Sequence, residues 1–157
     1  MIYLHYKGRF PQFERFKVFC EEVVDDLFPN ETAHDWDIGI QMHSNLCYGE
    51  NQQDSGLCYY GGTDNIVLVE LARNYIADRG KKSEHTIPYS MEELCVTLVH
   101  EMVHCKQYIS GETSSVHKSN KMIEGFPQYW WSDNFGHYDL PWEQEAHSYE
   151  KVLLDLW

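Results

Sequence analysis

Residues 100 to 104 carry the most specific chemistry in this 157-residue chain. His100-Glu101-Met102-Val103-His104 reads H-E-x-x-H. On an α-helix, four residues make about one turn and return to within about 40° of the same direction, so both imidazoles can reach one cation. Glu101 points about 100° away from His100 and can approach water at that cation without being a ligand. Zinc suits such a set, because it accepts imidazole nitrogen, keeps an open position in catalytic sites and lowers the pKa of bound water towards neutrality. Given the His and Glu content of the chain, a shuffled sequence would contain the pattern about one time in twenty. Its context sharpens it, because two His and a Glu interrupt an otherwise apolar helix, where unpartnered polar groups would cost roughly 1 to 3 kcal/mol each.

A catalytic zinc commonly takes a third protein ligand. The extended pattern with a third His six residues past the second fails, since position 107 is Gln107 and position 110 is Ser110, and this excludes the metzincin pattern. Cys95 precedes His100 by five residues but lacks the E-G-C-L-S-like segment through which peptide deformylases supply a Cys. The acidic candidates are Glu143 and Glu145, in Pro141-Trp142-Glu143-Gln144-Glu145-Ala146-His147. Two apart on a helix, they point about 160° away from one another, so only one can join the imidazoles. Both also suit a negatively charged first helical turn.

Together these segments resemble the gluzincin branch of the zincin metallopeptidases, in which H-E-x-x-H is completed by a Glu on a later helix, often within E-x-x-A-[D/N]. By that resemblance Glu143 is the third ligand and Ala146 is the small residue that lets the two helices approach. His147 stands where Asp or Asn is usual and would support a ligand imidazole or bind substrate. The resemblance covers roughly the last seventy residues and is closest to small single-domain members of bacterial or viral type. It implies an α+β zincin-like fold: a twisted mixed sheet, a central H-E-x-x-H helix and a C-terminal helix bearing the third ligand. It implies one catalytic Zn2+ held by His100, His104 and Glu143. Glu101 would then act as general base and acid in hydrolysis of a peptide or protein substrate lying extended along a strand edge. The alternative is a domain of the same fold that binds metal or protein and catalyses nothing. Glu101, which the metal does not need as a ligand, favours the enzyme.

Weaker candidates surround this set. Tyr108, Tyr138 and Tyr149 are phenols able to stabilise an oxyanion. Trp130-Trp131 suits a cleft wall as well as core packing. His117 and His137 read as surface or packing residues, and His5, His34, His43 and His85 carry no spacing pattern.

The elements that must position these residues are legible in outline. Ser90 and Glu93 form a capping box and Gly111 a helix stop, which predicts a helix over about 91 to 110 with apolar residues around most of its circumference. A final helix begins near Pro141 and runs towards Leu156. Earlier in the chain, residues 2 to 6 predict a strand. Phe13, Phe16, Cys20, Val23, Val24 and Leu27 predict an amphipathic helix ending at Pro29-Asn30. Trp36, Ile38, Ile40 and Met42 alternate with polar residues and predict a strand. Residues 57 to 60 and 65 to 71 predict a hairpin around Gly61-Gly62-Thr63-Asp64, and this hairpin is the expected substrate edge.

Composition bounds the rest. Length and the lack of a linker predict a single domain over residues 1 to 157. A net charge of -13 with 12 Lys+Arg argues against nucleic-acid and membrane-surface partners, and suggests a solvated surface unwelcoming to acidic substrates. Five cysteines without a C-x-x-C pair point to reduced thiols. The absence of a signal-type or membrane-spanning apolar run gives a cytoplasmic expectation.

Overall fold

The computed structural model describes residues 1–48, 52–61, 64–112 and 141–157. The fold is mixed α+β. Strand β1 (Ile2–Lys7) leads through helix α1 (Phe13–Leu27) to β2 (Trp36–His43). The short strands β3 (Leu46–Tyr48) and β4 (Gln52–Asp54) then form a small antiparallel ribbon. After them come β5 (Gly56–Tyr60) and β6 (Ile66–Ala72), followed by a second ribbon of β7 (Asn74–Ala77) and β8 (His85–Pro88). Helix α2 spans Met91–Ile109, and α3 spans Pro141–Leu153 before a 3-10 turn at Leu154–Leu156.

The main sheet has the order β1-β2-β6-β5. Its first three strands are parallel, and β5 runs antiparallel to β6 as an edge, so the hairpin expected from the glycine turn is present. Register follows the alternation. Ile38 faces Val67, Ile40 faces Val69 and Met42 faces Leu71, all on one face of the sheet. These side chains are buried against α1 and α2, whose contributions include Phe16, Phe19, Cys20, Val23, Leu94, Leu98, Val99 and Met102.

The apolar stripe of α1 differs from the one spaced out in the sequence. Phe19 is buried at 1% exposure, with its ring edge-on to Trp157 at 5.7 Å, whereas Phe13 is 37% exposed and packs on Tyr6 and Phe10. The α2 caps are as expected. Ser90 Oγ accepts from Glu93 N at 3.1 Å and Ser90 N donates to Glu93 Oε2 at 3.3 Å. Gly111 takes φ 78° at the C-terminal end, a left-handed conformation that glycine adopts without Cβ strain. Among the described residues no helix is long and apolar enough to cross a membrane.

Candidate metal centre

Helix α2 carries its chemistry on two faces. One meets α3, and there His100 and His104, one turn apart, bring their Nε2 atoms to 3.2 Å. Glu143 of α3 completes the group. Its Oε2 lies 3.0 Å from His100 Nε2 and its Oε1 lies 3.2 Å from His104 Nε2. Close approach of the helices follows from Ala146, fully buried one turn beyond Glu143. Glu145 is directed elsewhere and accepts from Lys106 Nζ at 2.9 Å. Of the two carboxylates left open by helical spacing, Glu143 is therefore the one brought to the imidazoles.

The far side of each imidazole is also held. His100 Nδ1 lies 2.7 Å from Glu150 Oε1, and His104 Nδ1 lies 2.8 Å from Gln107 Oε1. The Gln107 amide is oriented by its own donor, since Nε2 bonds the Trp142 carbonyl at 2.9 Å and so turns the oxygen towards His104. A carboxylate and an amide oxygen can only accept, so both Nδ1 atoms donate, and in the neutral rings both Nε2 lone pairs face the Glu143 carboxylate. Three electron-rich atoms about 3 Å apart repel unless positive charge lies among them.

Protons can supply that charge. Burial pushes His100 down, but the Glu143 hydrogen bond, Glu101 and Glu150 outweigh it and raise its pKa to about 9. Burial pushes the Glu143 carboxyl up, yet hydrogen bonds from His100 and His104 hold it far below the usual carboxylate range. A divalent ion can supply it equally well. The three donors form a group able to hold a metal. The separations fit zinc, since ligands on a tetrahedron with bonds of about 2.0–2.1 Å lie about 3.3 Å from one another.

Glu101 occupies the other face of α2, towards β5, and is only 7% exposed. Strand β5 touches it at Gly56, where a Cβ would stand 3.0 Å from Glu101 Cγ, 3.3 Å from its Oε1 and 2.5 Å from Thr97 Cγ2. Burial raises the Glu101 carboxyl to about 7 even though His104 and His100 pull it down. Beyond it, Cys58 of β5 and Cys105 of α2 bring their Sγ atoms to 3.6 Å. Burial pushes the Cys58 thiol well up, and the structure gives this sulfur contact a packing role.

Of the phenols considered, Tyr108 has its ring 5.4 Å from that of Tyr60, and its hydroxyl is pushed up by burial, then by Cys58, Cys105 and Glu101. Tyr149 lies against Lys106, whose Nζ is 5.6 Å from its ring centre. Tyr138, Trp130, Trp131, His117 and His137 lie outside the described residues. His147 sits one step back from the donors, its Nδ1 2.9 Å from the Glu150 carboxylate that also meets His100.

Sequence reasoning missed Glu150, Gln107 and Gly56. Glu150 had a readable clue, since it lies seven residues after Glu143 and so shares its helical face. Gln107 enters the sequence reading only as a position at which the extended H-E-x-x-H pattern fails. Comparison of the chain with protein-family models, with curated proteins and with solved structures finds no match.

Proposed function

We propose that the protein is a zinc metallopeptidase of zincin-like, gluzincin-type architecture that hydrolyses peptide bonds. The observation that carries this reading is the convergence of His100 Nε2, His104 Nε2 and Glu143, with both imidazoles anchored from behind by Glu150 and Gln107. Bound zinc would supply a Lewis acid that acidifies water and polarises a substrate carbonyl. His100 and His104 would hold the ion through Nε2, since their Nδ1 protons are committed to hydrogen bonds with Glu150 and Gln107. Glu101, on the same helix but outside the donor set, takes the proton of the attacking water and delivers it to the leaving amine. Strand β5 lies at the sheet edge beside α2, and an extended peptide pairing with its main chain would pass in front of Glu101.

The test is Glu101→Gln, measured by zinc content and by hydrolysis of a peptide library. Zinc stays near one per chain, while hydrolysis falls by about 10²–10⁴-fold. Unchanged hydrolysis would remove Glu101 from the chemistry. A wild-type protein that binds zinc tightly and cleaves nothing would leave the non-catalytic metal-binding reading in its place.

A further inference from the structure

A cleft of about 460 Å³ opens at the carboxyl ends of the parallel strands, lined by Arg9, Met42, His43, Ser44 and Arg73. In open sheets, this rim is where ligands commonly bind. The cleft is built by tight local structure. Gly8, at φ 105°, turns the chain after β1 so closely over β2 that a Cβ there would lie 2.4 Å from the Met42 carbonyl oxygen, and this turn delivers Arg9 to the rim. Opposite, Arg73 N donates to the His43 carbonyl at 2.8 Å. The Asn74 backbone and side-chain amides both donate to the Ser44 carbonyl, at 3.0 and 2.9 Å. The ends of β2 and β6 are thus fastened together under the two arginines.

Charge sets this cleft apart. With 12 Lys+Arg against 25 Asp+Glu, a cation in this chain should find a carboxylate partner more easily than another cation. Yet Arg9 and Arg73 line one cleft, and neither guanidinium makes an ion pair or hydrogen bond to the described residues. The Glu70 carboxylate lies 3.4 Å from His43 Nε2 and makes no ion pair with either guanidinium. Two planar forks and the Ser44 hydroxyl form the donor set that carboxylates and phosphates accept.

We propose that this cleft binds one oxyanionic group of a ligand, a carboxylate or a phosphate, through Arg9, Arg73 and Ser44. It lies at the Glu101 end of the sheet. Gly56, which touches Glu101, pairs with Leu71, and Arg73 is two residues further, about 7 Å along the strand. An acidic group of an extended peptide is therefore within range of the cleft, contrary to the aversion to acidic substrates that net charge suggests.

The test is calorimetric titration of the full chain, with and without added zinc. The probes are inorganic phosphate, an N-acetylated tripeptide with a free carboxylate, and the same tripeptide as its C-terminal amide. One anion binds at one site per chain, and the amide does not. Arg9→Gln and Arg73→Gln each weaken binding about tenfold or more. Lys17→Gln, which removes the same charge from α1, leaves it within about twofold. Phosphate binding alone assigns a phosphorylated ligand, and carboxylate binding alone assigns a peptide terminus or acidic side chain. Absence of binding by both anions up to about 10 mM, or wild-type affinity in both arginine variants, overturns the proposal. Because binding is read without zinc as well, failure of the metallopeptidase reading leaves this outcome distinct.

Discussion

Helix α2 has two polar faces, and they are held by different physics. Towards α3, the side chains are tied by directional bonds: His100 to Glu150, His104 to Gln107, Gln107 to the Trp142 carbonyl and Lys106 to Glu145. Towards β5, Glu101 is held by shape, between the helix and the bare backbone of Gly56. Glu101 and Glu143 are almost equally buried, at 7% and 6%, yet their acidities move in opposite directions. Burial raises both, but only Glu143 receives hydrogen bonds from two imidazoles. Burial alone therefore does not set a carboxylate's role. The bonded face is suited to gripping a cation, and the packed face to handling a proton.

The sharpest way to break this contrast is at the bonded face. Glu143→Ala is expected to weaken zinc binding by well over 100-fold, beyond what loss of an outer hydrogen bond does, while Glu145→Ala changes it by only a few-fold. Competition against a chromophoric chelator measures both. Weakening by Glu145→Ala alone would reverse the assignment of the third ligand.

One step further out, Glu150→Leu and Gln107→Leu each remove the acceptor that fixes an imidazole. A zinc affinity lower by about 10–100-fold is expected for each, with the fold intact by circular dichroism. His147→Ala is expected to have a smaller effect, because His147 meets the Glu150 carboxylate and the side of the His100 ring, 4.8 Å between centres, rather than standing in the donor set. If His147→Ala matched Glu150→Leu, the two would act as one unit behind His100.

The bonded face was half legible in the sequence. H-E-x-x-H and the Ser90–Glu93 box are local patterns, and local geometry alone puts both imidazoles on one capped helix. The strand alternation from Trp36 and the glycine-rich segment before β6 likewise made β2 and the β5–β6 hairpin readable. What stayed hidden depends on contacts far along the chain. Phe19, rather than Phe13, joins the buried core and meets Trp157 at the far end of the chain, and no spacing within α1 encodes that partner. Strands β3, β4, β7 and β8 have three or four residues each, too few to show a period of two. Nothing local marks Gly56, since its constraint comes from a helix that begins 35 positions later at Met91.

The smallest expected effect, and the one that sharpens the comparison most, comes from the packed face. Thr97 Cγ2 is only 2.5 Å from where a Cβ on Gly56 would stand, and a β-branched side chain on a helix has little rotamer freedom to retreat. Gly56→Ala is therefore expected to lower stability by about 1–3 kcal/mol through overpacking, read as a shift in denaturant midpoint. Zinc affinity should hardly move, because Gly56 meets α2 at Thr97 and Glu101 rather than at the imidazoles. Hydrolysis should fall by about tenfold, since the new methyl also stands 3.0 Å from Glu101 Cγ and displaces the carboxylate. Adding Thr97→Ser deletes the methyl responsible for the closest clash. The double variant should then regain most of the stability while hydrolysis remains low, a non-additivity confined to one observable. Full hydrolysis in Gly56→Ala would mean that β5 does not position Glu101. A parallel loss of zinc would mean that the two faces of α2 are mechanically one.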